Sequence, residues 1–262
     1  MDERGATASL RPPLTGWTVI SLRPSGGHAA LRRAARRHGA QLLPMSPLAL
    51  RPCPAETTLG PALAAARVVF TSPAAVRFAA VQAPLQARPE QIWLAVGAGT
   101  AAALRRHGIT ARYCAERMDS EGLLSLPALA DLARCEVGLI TAPDGRELLA
   151  DALRQRARRL LVAHVYRREA RRIGAAAWQR LRAQTGPLAL AVSSGQALQA
   201  LLEQCPPDLR ATVRGAVALV ASARLEQAAQ QAGFATRVRA ASARPNALLS
   251  ALAAYRPDSA FR

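Results

Sequence analysis

The sequence predicts an α/β fold with parallel sheets flanked by helices, laid out in two similar halves. Three observations carry this. A unit of apolar strand, short polar loop and helix recurs along the chain. The strands are short, almost wholly apolar runs, the pattern of parallel strands covered on both faces. The second half repeats landmarks of the first in the same order, and β and α alternate at the spacing of such folds.

The first unit of the series is WTVISLRPSGGHAALRRAARRHGA, Trp17–Ala40. VVFTSPAAVRFAAV and IWLAVGAGTAAALRRHGI follow. VGLITAPDGRELLADALRQ, LALAVSSGQALQALLEQ and ALVASARLEQAAQQAGF complete it. Several helices stop at a glycine just ahead of the next strand, at Gly39, Gly108 and Gly233, where a C′ residue belongs. The repeat lays LAVGAGTAAALRRHGI over LVASARLEQAAQQAGF with Gly108 on Gly233. It lays Glu121–Leu129 over Asn246–Ala254, FTSPAAV over VSSGQAL with Thr71 on Ser193, and SLRPSGGHAAL over LITAPDGRELL with Gly27 on Gly145. Two stretches stand outside the rhythm, Gln41–Cys53 and Leu160–Arg172. Pro44, Pro47, Pro52 and Pro54 bar a helix from the first. Both read as extended linkers carrying the chain into a second domain and back.

A chain of 262 residues suits one large domain or two small ones. Half of it is apolar but only 4% is aromatic, so the core must be mostly Ala, Leu and Val. The longest uncharged run, Thr185–Leu202, is broken by Gly186, Pro187, Ser193, Ser194 and Gly195, which excludes a bilayer span. The N-terminus, MDERGATASLRPPLTG, has no apolar signal region and reads as a short loose tail. Cys53, Cys114, Cys135 and Cys205 are scattered, as expected of reduced thiols in a cytoplasmic protein without structural zinc. The net charge of +18 favours anionic partners. All 35 basic residues are arginine, a bias that makes part of the charge compositional. They do not interleave with aromatics, as a nucleic-acid stacking platform requires. The residues therefore favour an anionic partner of unstated size, and neither nucleic acid nor membrane is expected in that place.

Each strand–helix loop ends at a helix N-terminus, whose first N–H groups lack partners and whose dipole is positive. Ser72, Thr100, Ser194 and Ser222 stand at cap or first-turn positions, and Pro73 suits the first helical position after a Ser72 cap. Such hydroxyls fit a plain cap and an anion contact alike. In parallel α/β folds these loops gather at the carboxyl edge of the sheet, where ligands bind. GAGT, Gly97–Thr100, lacks the third glycine and the acidic residue of a dinucleotide fingerprint. Arg146 in PDGRE and Arg23 after the first strand fit exposed side chains and anion contacts equally. The four histidines are scattered and no nucleophile–base pair stands out. Tyr166, in HVYRRE, reads either as a packed tyrosine with a satisfied hydroxyl or as a functional one.

VVFTSPAAV, LAVGAGTAAALRRHGI, DSEGLL, PDGRELLADAL, VYRR and LAVSSGQAL, in this order from about Trp17 onward, resemble the uroporphyrinogen-III synthase family. The resemblance implies an α/β protein of two similar domains with parallel sheets, joined by a two-stranded β-ladder linker, with the active site in the cleft. The first domain would be 1–43 plus 168–262, the second 50–163, and the linker strands 44–49 and 164–167. It implies a cofactor-free lyase; a monomer without a metal is the expectation beside it. The linear tetrapyrrole hydroxymethylbilane would lose water and close to uroporphyrinogen III with inversion of ring D. By position, Tyr166 would be the catalytic tyrosine that assists departure of the hydroxyl. Arg23, Thr71, Ser72, Gly97, Thr100, Ser120, Gly145, Arg146, Ser193, Ser194 and Ser222 would bind substrate. The chain departs from the family where the second half usually repeats a threonine, since Leu225 stands there. The alternatives are a non-catalytic two-domain binder of an anionic ligand, a nucleic-acid binder favoured by charge alone, and a nucleotide-dependent enzyme.

Overall fold

Most strands form where the short apolar runs lie, and in runs such as Thr18–Ser21 and Val217–Val220 every residue is buried, on both faces. The structure, a computed structural model, describes residues 12–114, 120–143 and 147–255. The chain divides into two compact units, Met1–Ala49 with Ala170–Arg262, and Leu50–Glu169.

The first unit opens with β1 (Thr18–Ser21), α1 (Ala29–Arg37) and β2 (Gln41–Pro44). β3 (Leu48–Pro52) follows. The second unit then runs through α2 (Glu56–Ala64), β4 (Arg67–Phe70), α3 (Pro73–Gln82), β5 (Ile92–Ala95), α4 (Ala98–Arg105), α5 (Ser120–Leu124), β6 (Glu136–Thr141), α6 (Glu147–Arg156) and β7 (Arg159–His164). After β8 (Tyr166–Ala170) the chain rejoins the first unit with α7 (Ala175–Arg182), β9 (Leu188–Ala191), α8 (Gly195–Gln204), α9 (Arg210–Arg214), β10 (Val217–Val220), α10 (Ala223–Gln231), β11 (Arg237–Arg239) and α11 (Pro245–Ala254).

Both main sheets are parallel. The first has the order β11-β10-β9-β1-β2 and the second β5-β4-β6-β7. Beyond β5 a single parallel bridge joins Leu94 to Arg112. The sequence repeat explains the correspondence. It places β6 on β1, β4 on β9 and β5 on β10, with β7 and the Arg112 bridge taking the places of β2 and β11. Read from β7, the second sheet thus has the order of the first read from β2. In each sheet the connections diverge at one point, between β1 and β9 and between β6 and β4. Ligand crevices of doubly wound sheets open at such a point, beyond the carboxyl ends of the strands.

Residues alternate between two apolar layers in each unit. Val68 and Phe70 of β4 face one layer with Val76, Trp93 and Ile140, while Val69 faces the other with Leu94, Leu139 and Leu153. Ile20 and Leu190 likewise face one layer of the first unit, and Val19 and Ala189 the opposite one. Such period-two burial needs helices on both sides, which the βα connections supply. The repeat extends to helix termini. Gly108 and Gly233 have φ of 74° and 87°, and the next residues, Ile109 and Phe234, donate backbone N–H bonds to Leu104 and Ala229 at 3.2 and 3.0 Å. These are the left-handed glycine stops expected from the sequence.

β3 and β8 form the separate two-stranded sheet. Its ends are marked by Arg171 N to Pro47 O at 2.8 Å and Cys53 N to Val165 O at 3.0 Å, so the strands run antiparallel. The ladder therefore lies a few residues beyond the 44–49 span, and the flanking residues Gln41–Pro44 and Arg159–His164 belong to the parallel sheets instead. The prolines account for this: Pro47 has no N–H to continue a ladder, so the chain leaves the first sheet after Pro44 and pairs again from Leu48. No disulfide joins any two of the four cysteines. Among the described residues no helix is long and apolar enough to cross a membrane. Of the N-terminal stretch read as a tail, residues 1–11 lie outside the described residues, whereas Leu14 is 1% exposed in the apolar layer with Val19 and Leu31 and donates its N–H to His38 O at 2.9 Å, so the stretch is packed from there on.

Candidate functional site

In the second unit the loops after β4 and β6 flank the point where the connections diverge. Thr71 leaves β4 with 7% exposure and its hydroxyl donates to Thr141 Oγ1 at 3.0 Å. Ser72 follows as the N-cap of α3, in extended backbone (φ −160°, ψ 159°), and Pro73 opens the helix. Its Oγ accepts the Ala75 N–H at 3.0 Å. The cap expected from the sequence is therefore real, and the same oxygen has a second partner: Ser72 Oγ lies 3.0 Å from Tyr166 Oη, 94 residues away along the chain. Tyr166 opens β8 with 2% exposure. Its ring stacks on Phe78 of α3, with centroids 5.5 Å apart and planes at 14°, and the Arg168 guanidinium lies 5.8 Å from its centroid. Thus α3 holds Tyr166 twice, by its N-cap and by an aromatic side chain about one and a half turns on.

Beside α3, Gly97 caps α4 without a side-chain bond. Its carbonyl accepts the N–H groups of Thr100 at 2.9 Å and Ala101 at 3.0 Å. Thr100 is thus a first-turn residue rather than a cap, buried at 4% exposure. A Cβ on Gly99 would lie 3.6 Å from Pro73 Cγ, which brings the first turns of α3 and α4 side by side. Ser120 opens α5, half-buried. Gly145 and Arg146 lie outside the described residues.

In the first unit Ser194 and Ser222 are N-caps of α8 and α10, with backbone angles close to those of Ser72. They accept from Ala197 N at 3.1 Å and Leu225 N at 3.3 Å. The departure at Leu225 therefore leaves the α10 cap intact. Ser193 is exposed. Arg23 follows β1, half-buried, with Nη2 donating to Ala243 O at 3.3 Å; burial lowers its pKa from the usual guanidinium value.

The histidines, scattered in the sequence, include one ordered network. His28 is the N-terminal flank of α1 and 8% exposed. Its Nδ1 lies 2.9 Å from Ser21 Oγ and its Nε2 2.8 Å from Ser46 Oγ. Ser46 donates its hydroxyl proton to Arg23 O at 2.7 Å, so Nε2 is the donor toward Ser46, and in the neutral ring Nδ1 accepts from Ser21. Burial first, then Arg32 and Arg23, lower its pKa from the usual 6.5. A histidine held below its unfolded pKa contributes stability in full above that unfolded value, and the contribution is lost as pH falls from about 6.5 through the folded pKa. Urea midpoints measured from pH 8 to pH 5 should therefore fall less in His28→Gln than in the unsubstituted protein. Equal slopes would remove His28 from the pH dependence.

Thr141, Phe78, Ser21 and Ser46 are not legible as site residues, because each acts through a partner distant in sequence. Only the repeat carries a signal, since it sets Thr141 on Arg23.

Fold and site together define a class: two-unit, doubly wound parallel α/β proteins that place hydroxyl-bearing helix N-termini at the carboxyl ends of their strands. The family model described as uroporphyrinogen-III synthase HemD matches residues 29–250. The chain belongs to that family. The uroporphyrinogen-III synthase of Salmonella typhimurium is 34% identical over 163 residues, 61% of this chain and 66% of that protein, just under two thirds of the relative's length. Among solved structures, a mutant uroporphyrinogen III synthase of the extremely thermophilic bacterium Thermus thermophilus aligns with a TM-score of 0.56 at 20% identity, over 90% of this chain and 96% of that one. The uroporphyrinogen-III synthetase of Helicobacter pylori aligns with a TM-score of 0.57 at 15% identity, over 91% and 99%. At these identities the structural likeness concerns the fold.

Proposed function

We propose that the chain is a cofactor-free hydro-lyase that closes hydroxymethylbilane to uroporphyrinogen III, acting as a cytoplasmic monomer. Family membership supports the reaction, and the Ser72–Tyr166 contact at the N-terminus of α3 is the observation that suggests how it is assisted. Loss of water breaks the bond between the terminal methylene and its hydroxyl. The departing oxygen takes a proton and the pyrrole nitrogen lone pair supplies electrons to the methylene, leaving an azafulvene-type cation. Ring D carbon then attacks, and rearrangement through a spiro centre followed by proton loss restores the pyrroles. In this reading Tyr166 gives the proton to the departing oxygen. Either hydroxyl of the Ser72–Tyr166 pair can donate; in this reading Ser72 donates to the phenol oxygen and the phenol proton goes to the substrate.

The substrate bears several carboxylates. Helix N-termini capped at Ser72, Ser194 and Ser222 offer backbone donors and positive dipole ends, each worth about 0.3–1 kcal/mol to an anion. The enzyme's main task would be orientation, since closure without inversion needs no catalyst, and holding reacting groups in place contributes much of a barrier reduction. The excess arginine is not read as a nucleic-acid surface. Among the described residues Tyr113, at 36%, is the one exposed aromatic side chain, and base stacking needs several.

The deciding experiment adds purified protein to freshly generated hydroxymethylbilane and measures the uroporphyrin isomers after oxidation. The expected result is a switch from the uninverted isomer to the inverted one. An unchanged ratio from a folded protein would sink the proposal and leave the binder of an anionic ligand.

A further inference from the structure

The first unit contains a cavity of about 370 Å³ beyond the ends of β1 and β2 and beside the first turn of α1. Ser25, His28, Arg32, Ser46, Arg171 and Arg172 supply its polar lining, and no Asp or Glu lines it. The neutral His28 network forms a rigid floor, because Ser21, Ser46 and both ring nitrogens are mutually satisfied. Charge around it is not balanced. Arg51, Arg154, Arg158, Arg167, Arg182 and Arg239 each pair with a carboxylate. Among the described residues Arg32, Arg171 and Arg172 pair with none. Arg171 is steered by a hydrogen bond to Ser25 instead. Like charges converging on a concave surface focus a positive potential that an anion relieves. The adjoining first turn of α1 holds no acidic residue and no side-chain cap, so nothing there offsets the field.

We propose that this cavity is a carboxylate-binding subsite which, on the activity proposed above, seats the acidic side chains of one pyrrole ring. Size sets the limit to one ring: ligand pockets run from about 300 to 1,000 Å³, and this one is at the small end. Planar guanidinium forks match carboxylates two bonds at a time, which favours acetate and propionate groups over uncharged ones. His28 takes no part in proton transfer here. It fixes the walls that carry the arginines.

The test uses the full chain and the His28 ring resonance, assigned with His28→Gln, during titration with succinate and, separately, with inorganic phosphate. Succinate is expected to shift the resonance and to raise the His28 pKa, because a bound anion offsets the field of Arg32 and Arg23 that helps to lower it. Arg32→Gln and Arg172→Gln should each weaken succinate binding about tenfold. In the isomer assay Arg172→Gln should raise KM more than it lowers kcat. A ring resonance indifferent to succinate, or tighter binding of phosphate than of succinate, overturns the proposal. Failure of the activity itself is seen separately, as no inverted isomer from the unsubstituted protein, and the succinate titration still decides the cavity.

Discussion

Gly138→Ala is expected to unfold the second unit. Gly138 lies within β6, between β4 and β7, and is buried. A Cβ placed there would stand 1.8 Å from Ala62 O, 2.6 Å from Ala62 C and 3.0 Å from Ala62 Cα. These are backbone atoms of α2, so no side-chain rotation relieves the clash and the whole helix must lift from the sheet. Helix α2 has little strength to survive that on its own: it contains Pro61, and no side chain caps it. Its place depends on Leu59 and Ala62, which are 2% and 0% exposed. Overpacking of a core typically costs about 1–3 kcal/mol and rises when nothing can move aside, and whole-protein stability is about 5–15 kcal/mol. Urea unfolding should show a loss of at least about 3 kcal/mol, or no folded second unit at all. Gly60→Ala is the control. It sits in the same helix with open space where the Cβ would go, and should be neutral or stabilise by up to about 1 kcal/mol. Comparable losses in both variants would mean that α2 tolerates no change, and the close-approach argument would fail.

Gly138 also shows what a sequence can announce. A glycine inside an apolar strand signals close approach of another backbone, but not which backbone. The strands themselves are legible because buried parallel strands need little more than a short apolar run, and the order of the sheets follows once the repeat is recognised. Other elements leave weaker signals. Helix α2 is broken in pattern by Gly60 and Pro61, and β11 consists of a valine between two arginines. The 44–49 span sets the ladder too early because proline excludes helix without saying where pairing resumes. The candidate site divides in the same way. Ser72, Ser194 and Ser222 can be placed as caps because a cap is a local device, satisfied three residues on. The pairs Ser72–Tyr166 and Thr71–Thr141 join residues 94 and 70 positions apart, and the His28 network closes only when two loops meet. Nothing local distinguishes those residues from solvated serines and threonines.

Tyr166→Phe is expected to lower kcat for formation of the inverted isomer about 100-fold, the lower bound of what a positioned general acid contributes, while the fold persists. Phenylalanine keeps the stack on Phe78 and the place in the core, so the change removes the hydroxyl alone. Ser72→Ala separates the two duties of the serine. Loss of the α3 cap should cost about 1 kcal/mol, a fall in melting temperature of about 2–4 °C, and loss of the hydrogen bond to Tyr166 should lower kcat by about tenfold with a smaller effect on KM. Ser194→Ala, which removes an equivalent cap with no tyrosine attached, gives the reference for the cap alone. Ser72→Thr should restore most of the activity, because its hydroxyl can serve both partners. If Ser72→Ala and Ser194→Ala lose stability equally and neither loses turnover, Ser72 is a cap and no more. If Tyr166→Phe also turns over normally, the phenol is a packed side chain with a satisfied hydroxyl, and water loss must draw its proton from another group. The double variant Ser72→Ala/Tyr166→Phe decides whether the two act as one: when the serine works only through the phenol, its turnover matches that of Tyr166→Phe rather than the product of both losses.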